Sequence, residues 1–377
     1  MSLRFLHLHS SFDSGGKELR AARLMNTFGE AIAHDVVSAE PGALGAASAI
    51  AADIRVAYPA DFPALQGKPT PARLRELARA MAGYDLVLTY NWGAMDAVLA
   101  HTVFRKTDAL PPLIHHEDGF NEDESGGLKR SRNWFRRIAL ARSAGLVVPS
   151  KRLEAIALGP WQQPRGRVQL IPNGIDIAAY GRKPSADALP RIVKRKDEVW
   201  LGTLAGLRPV KNLPRLVRAF AAMPGNWQLV ILGEGPERAA IREEALRCQV
   251  ADRVHLPGFV AKPSEAVGLF DLFALSSDSE QFPISVVEAM AAGIAVASPD
   301  VGDVAGMVSP DNRPFVVPAD DEAALADALV TLASDPALRD RIGHANRLRA
   351  LAEFDEPRMI GRYRRLYASA MGLDHLP

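Results

Sequence analysis

Apolar and polar positions along this chain follow two rhythms that take turns. Short apolar or alternating runs recur at 4–9, 86–89, 113–116, 145–148 and 168–171, and again at 199–203, 228–232, 253–256, 272–276 and 295–298. Between most pairs lies a stretch with a helical spacing of apolar side chains, as at 213–222 and 237–248. Strands alternating with helices predict parallel sheets flanked by helices, an α/β architecture. In a doubly wound domain ligands gather at the carboxyl ends of the strands, so the loops that follow these runs are expected to carry the chemistry.

The rhythm breaks once. Asn173-Gly174-Ile175-Asp176 follows a strand and Pro172, and 180–196 is rich in Pro, Arg and Lys without a period, which predicts an interdomain connection. The expected division is an N-terminal domain over 1–176 and a C-terminal domain over 177–355. A last helical segment, 356–377, carries Met359, Tyr363, Leu366 and Tyr367 on one side. A chain of 377 residues suits two domains of roughly 150–200 residues each.

Composition narrows the function classes. A formal net charge of +1 supplies no global field to draw the chain to nucleic acid or acidic polymers. The single cysteine, Cys248, excludes an intrachain disulfide or a cysteine zinc cluster and fits a reducing compartment. Residues 3–8 alternate as a strand and run into a glycine turn, unlike the apolar centre of a secretory signal. No uncharged apolar run reaches the ~18 residues needed to span a bilayer. The expected location is the cytoplasm, with contact at the inner face of a membrane left open.

The most informative stretch is Glu280-Gln-Phe-Pro-Ile-Ser-Val-Val-Glu288, followed by Ala289-Met-Ala-Ala-Gly293. Two carboxylates lie eight residues apart, with Pro283 suited to a first helical position and Gly293 to the far end. Glu280 is then expected in the entering loop and Glu288 inside the helix. The free first-turn amides, including those of Ile284 and Ser285, form a positive pole beside two acids. Amides can hold a phosphate and carboxylates can hold sugar or ribose hydroxyls, a pairing that points to a nucleotide-sugar. Upstream, the run at 199–203 opens into Gly206-Leu-Arg208-Pro-Val-Lys211-Asn212. Arg208 as a planar fork and Lys211 as a mobile point charge could clamp a diphosphate and stabilise the charge growing on its departing oxygen. A basic pair in a turn is by itself a solvated surface feature; its company with Glu280 and Glu288 favours the functional reading.

In the first half, Ser14-Gly15-Gly16-Lys17 sits between the first strand and a helix, where glycines either admit a ligand to the backbone or make a plain tight turn. His115-His116-Glu117-Asp118-Gly119 ends another strand. Four consecutive titratable side chains are hard to assign to a core. Neighbours on a strand point to opposite faces, which argues against their sharing a metal, and one or two are expected to face an interdomain cleft. Asn91, in Thr89-Tyr-Asn91-Trp92-Gly93, is a candidate acceptor contact, or else belongs to a capped helix start with Trp92 beneath it. Glu122-Asp-Glu124 reads as a solvated loop. The basic run Lys129-Arg-Ser-Arg132-Asn-Trp134-Phe135-Arg136-Arg137 could hold anionic headgroups or a lipid-linked acceptor. The reading preferred is that Trp134, Phe135 and Ile138 pack on the core while the arginines reach into water.

Taken in order, these residues resemble the retaining glycosyltransferases of family 4 over essentially the whole chain. The glutamates match that family's paired-glutamate motif, and Gly206-Leu-Arg208…Lys211-Asn212 resembles its phosphate-binding stretch. Asn173-Gly-Ile-Asp176, Leu232-Gly-Glu-Gly-Pro-Glu237 and Leu256-Pro-Gly258-Phe259 resemble three further markers, and Gly15-Gly16 its first-domain glycine loop. The resemblance implies a GT-B fold, two Rossmann-like doubly wound domains facing across a cleft, with no metal or other cofactor. It implies a UDP- or GDP-linked sugar donor and a glycan or lipid-linked acceptor, in exopolysaccharide, lipopolysaccharide or related glycan synthesis. On that resemblance Arg208 and Lys211 hold the diphosphate, Glu288 the ribose, Glu280 the transferred sugar, and Phe259 lies near the base. The first domain takes the acceptor and the final helix crosses back onto it. Transfer proceeds with retention, by front-face attack while the departing phosphate takes the acceptor's proton.

Two positions depart from the family pattern. Gln281 stands where many members have glycine. Members often show His-x-Glu-His-Gly where this chain has His115-His-Glu117-Asp118-Gly119, which puts Asp118 at the active-site histidine position and His116 two residues upstream. Both are carried as catalytic candidates with Glu280. A nucleotide-sugar epimerase and a catalytically inactive nucleotide-sugar sensor are the alternatives.

Overall fold

The computed structural model of the chain describes residues 3–120 and 127–376. They divide into two compact units, Met1–Ile171 with Ile360–Pro377, and Pro172–Met359.

The first unit is built on β1 (Leu3–His9), β2 (Ile32–Ser38), β3 (Val56–Ala57), β4 (Leu86–Tyr90), β5 (Leu113–His116), β6 (Gly145–Val148) and β7 (Val168–Leu170). Their order is β3-β2-β1-β4-β5-β6-β7 and every pair is parallel. Leu6, Leu8, Val87, Leu113, Leu146 and Val148 pack in one apolar layer with Leu74, Leu77, Val98 and Leu153 of the helices Pro71–Met81, Met95–Phe104 and Lys151–Leu158. The hydrophobic pattern does not announce β2, because His34 and Asp35 interrupt it. Both are buried, and each has a polar partner. His34 meets His7 at 2.9 Å, while Asp35 accepts from Arg4 at 2.7 Å and from the Tyr84 hydroxyl at 2.6 Å. Buried polar groups with partners are tolerated in a central strand.

The second unit holds β8 (Val199–Leu204), β9 (Trp227–Leu232), β10 (Val254–Gly258), β11 (Leu272–Ala274), β12 (Val296–Pro299) and β13 (Val316–Val317), ordered β10-β9-β8-β11-β12-β13 and again parallel. Alternate residues of each strand serve opposite layers. Trp200, Val230, Leu232, Phe273 and Val296 pack on the helix Ile284–Ala291. Leu201, Leu229, Ile231, Leu272 and Ala297 pack on the helices Leu213–Ala221, Arg238–Arg247 and Glu322–Ser334. From β8 the chain runs outward through β9 and β10, then returns to β11 on the other side. That reversal marks the crevice where open α/β sheets bind ligands.

The helix Glu356–Met371 contains the second boundary, between Met359 and Ile360. The Gly174 amide donates to the Met359 sulfur at 3.1 Å within the second unit. Tyr363 and Tyr367 are buried in the first, where Tyr367 lies edge-on to Phe5 and Phe28. Among the described residues, no helix is long and apolar enough to cross a membrane.

Candidate active site

Four loops join at the carboxyl ends of β8 to β11. The loop after β8 is stitched to the loop after β9 by Leu207 N–H to the Glu234 carbonyl at 2.9 Å and Glu237 N–H to the Leu207 carbonyl at 3.0 Å. The β9 loop reaches the end of β10 through Gly233 N–H to the Gly258 carbonyl, 2.9 Å. On the other side Asp278 N–H donates to the Val210 carbonyl at 2.9 Å, and the Ser276 hydroxyl to that of Lys211 at 2.9 Å. Such close stacking of backbones requires glycine at Gly233, whose φ is 141° and whose added Cβ would lie 1.9 Å from the Ala205 oxygen. Gly302, at φ 59°, likewise supports the Glu280 loop, since a Cβ there would come within 2.8 Å of the Glu280 and Gln281 carbonyls.

This stitching brings the expected donor-side residues of the second unit together. Lys211 ends a 3-10 turn, Pro209–Lys211, and Asn212, left-handed at φ 42°, then caps the next helix through the Arg215 amide. The Lys211 ammonium lies 2.5 Å from Glu280 Oε1, and the Ser277 hydroxyl donates to the same oxygen at 2.7 Å. The two side chains keep 17% and 11% of their surface, enough for a ligand to reach both. Arg208 is exposed and makes no ion pair among the described residues. Pro283 occupies the cap rather than the first helical position, so the helix begins at Ile284, one residue later than expected. No side chain caps it, which leaves the Ile284 and Ser285 amides available to an anion. About one turn in, Glu288 accepts a 2.9 Å hydrogen bond from the Tyr180 hydroxyl. Burial pushes its carboxyl up to about 7, against the opposing effect of Tyr180. Phe259, just beyond β10, is 73% exposed, a bare aromatic face on the same rim.

In the first unit, Gly15 caps the helix Gly16–Phe28 with its backbone, and a Cβ there would strike the Glu18 carboxylate at 2.5 Å. Lys17 pairs with Glu18, whose carboxyl burial raises. Asp118 is held by a residue that the sequence pattern did not single out: Arg20 of the same helix grips it with both guanidinium ends, at 2.6 and 2.8 Å. Burial would raise the Asp118 carboxyl, but the Arg20 charge and hydrogen bonds outweigh it and hold the carboxyl below its usual range. Asn91, at φ 54°, accepts the Asp118 amide on its side-chain oxygen at 2.8 Å, so that oxygen supports Asp118 rather than facing outward. His116 is 1% exposed, with Nδ1 at 3.2 Å from the Thr89 carbonyl and Nε2 at 3.0 Å from the Tyr367 hydroxyl. Burial, with Arg20 nearby, drives its pKa down to about 3. Of the two catalytic candidates in the first unit, only Asp118 keeps an open edge; His116 is a packed, neutral ring stacked on Tyr90.

The remaining candidates separate. His115 bonds the Thr89 hydroxyl at 2.8 Å, on the face opposite His116, and Glu117 is buried against Arg136. Among the described residues, no group of three His, Cys, Asp or Glu side chains is placed to hold a metal. Glu122, Asp123 and Glu124 lie outside the described residues. The helix Arg130–Ala139 follows the preferred packing only in part: Phe135 packs on the core, but Trp134 and Ile138 face solvent at 62% and 49% exposure, while Arg136 is buried. A tryptophan beside arginines does not by itself fix which face turns inward. Here the caged arginine decides it.

Against known proteins, two family models divide the chain: Glycosyltransferase Family 4 matches residues 14–179 and Glycosyl transferases group 1 matches residues 187–349. N-acetyl-alpha-D-glucosaminyl L-malate synthase of Bacillus anthracis is 24% identical over 207 residues, 54% of this chain and 54% of that protein. The putative glycosyltransferase EpsF of Bacillus subtilis is 27% identical over 223 residues, 54% of this chain and 56% of its own length. The matched stretch thus spans about half the length of these curated relatives. HepE of Anabaena, solved with UDP, superposes with a TM-score of 0.81 over 97% of this chain and 100% of its own, at 19% identity.

Proposed function

Because the chain belongs to the family 4 glycosyltransferases of GT-B fold, we propose that it transfers a sugar, with retention and without a metal, from a UDP- or GDP-linked donor to a glycan or lipid-linked acceptor. The observation that carries this reading is the joining of Lys211, Glu280 and the uncapped Ile284–Ser285 amides on one strand rim, with Glu288 one helix turn further in. A diphosphate docks on the amides, Lys211 and Arg208, and the ribose donates its hydroxyls to Glu288. Phe259 offers its face to the base, and Glu280 accepts from the hydroxyls of the sugar being moved. As the glycosidic bond breaks, charge builds on the departing phosphate oxygen, where Lys211 and Arg208 gain most. The same phosphate then takes the proton of the attacking hydroxyl. In the first unit, Gly15 and Gly16 leave the backbone open to a ligand, and Asp118, kept ionised by Arg20, accepts a hydrogen bond from a hydroxyl rather than acting as a base. That HepE was solved with UDP-glucose supports a nucleotide-sugar donor here.

Calorimetric titration with UDP and GDP tests the site. Lys211→Ala should weaken the preferred nucleotide by about 1.5–3 kcal/mol. Glu280→Gln should spare nucleotide binding and lower turnover instead. Unchanged affinity in the first variant would remove Lys211 from the donor site, and donor binding with neither transfer nor hydrolysis would favour a sensor.

A further inference from the structure

The helix Arg130–Ala139 presents a face that its own unit leaves uncovered, and the chemistry of that face selects its occupant. Its rotation is fixed from inside. Arg136 is 1% exposed, lies 3.2 Å from Glu117, and is boxed by Trp92, Trp161 and Phe120 at 4.8, 5.0 and 5.3 Å from their ring centres. With that side chain anchored, positions 130, 134, 137, 138 and 141 form one stripe toward solvent. Trp134 and Ile138 stand out from it with Arg130 and Arg137 beside them. Arg142 and Arg105 widen the basic border, the Arg105 guanidinium donating to the Arg142 carbonyl at 2.9 Å. Residues 127–142 contain no aspartate or glutamate.

We propose that this face docks on a membrane surface that carries anionic phospholipids. Indole settles at the boundary between headgroups and acyl chains, isoleucine enters just below it, and arginines bind phosphate while their stems stay apolar. The attraction is local, since the whole chain carries only +1. Pairing with a second copy through the same face would set arginines against arginines. A nucleic-acid backbone would satisfy the cations but give the outward isoleucine nothing to bury against.

Sedimentation of the full chain with vesicles tests this. Binding should occur to phosphatidylcholine mixed with phosphatidylglycerol and not to phosphatidylcholine alone, and should fall as salt rises. Reversing two charges, Arg130→Glu with Arg137→Glu, should cut partitioning by at least about twentyfold, each cation near such a surface being worth roughly fivefold. Of the five tryptophans only Trp134 is exposed, so its emission should shift to the blue on binding and be quenched by brominated acyl chains. That wild-type quenching decides the matter even if the variant fails to fold. No sedimentation with anionic vesicles, equal binding to neutral ones, unquenched emission, or tighter binding to duplex DNA than to vesicles would each overturn the proposal.

Discussion

Glu288 shows how far one side chain's behaviour depends on its surroundings. Its carboxyl, ordinarily near 4.5, sits at about 7 in the folded chain because burial disfavours its charge. Between those values the native state keeps a proton that the unfolded chain has released, so stability is highest below the window and falls as pH rises through it. The loss should reach about 3 kcal/mol at most. Urea unfolding at about pH 5 and about pH 8 should show this slope in the wild type and a flatter one in Glu288→Gln; identical slopes would clear Glu288 of the effect. With Glu288 as the proposed ribose acceptor, its ionised form takes the hydroxyl hydrogen bonds better, so donor affinity should strengthen over the same interval. The acids were legible in the sequence from their spacing around a proline. Their partners were not: Tyr180 lies 108 residues from Glu288, and Arg20 lies 98 from Asp118. No local pattern carries pairings that only the folded sheet creates.

At the level of elements, the rim is a stack of turns that holds together through backbone bonds. Gly233 lies at its tightest crossing, so Gly233→Ala combines a strained φ with a clash on the Ala205 oxygen. A cost of about 2–3 kcal/mol is expected, together with weaker nucleotide binding as the Arg208–Lys211 turn is pushed away. Chemical denaturation and titration of the same variant would check both, and a variant with wild-type stability would show that the loops are not so coupled. Most strands and helices were readable from their periods. β2 was hidden because buried His34 and Asp35 look like surface residues until His7, Arg4 and Tyr84 are brought to them. β3 and β13, at two residues each, are too short to display any period. The outward turn of Trp134 was concealed for a related reason: a caged arginine and a solvated one read alike.

Across the whole molecule, strand–helix alternation and the break after Pro172 anticipated two parallel-sheet units. The first unit is discontinuous, taking residues from both sides of the second. Tyr363 and Tyr367 fill its sheet face beside Phe5, Phe28 and His116. A chain stopped after Met359 should therefore lose on the order of 5 kcal/mol or more from the first unit, since each deleted buried aromatic leaves a cavity worth several kcal/mol. Near-ultraviolet circular dichroism would report it, and an unaltered melting profile would refute it. During synthesis the ribosome finishes all of 172–359 before those two tyrosines emerge. Until then the earliest-made sheet stays open on one side, with aromatic surface that a nascent-chain chaperone could cover, and its closure is timed by the arrival of a distant stretch of chain.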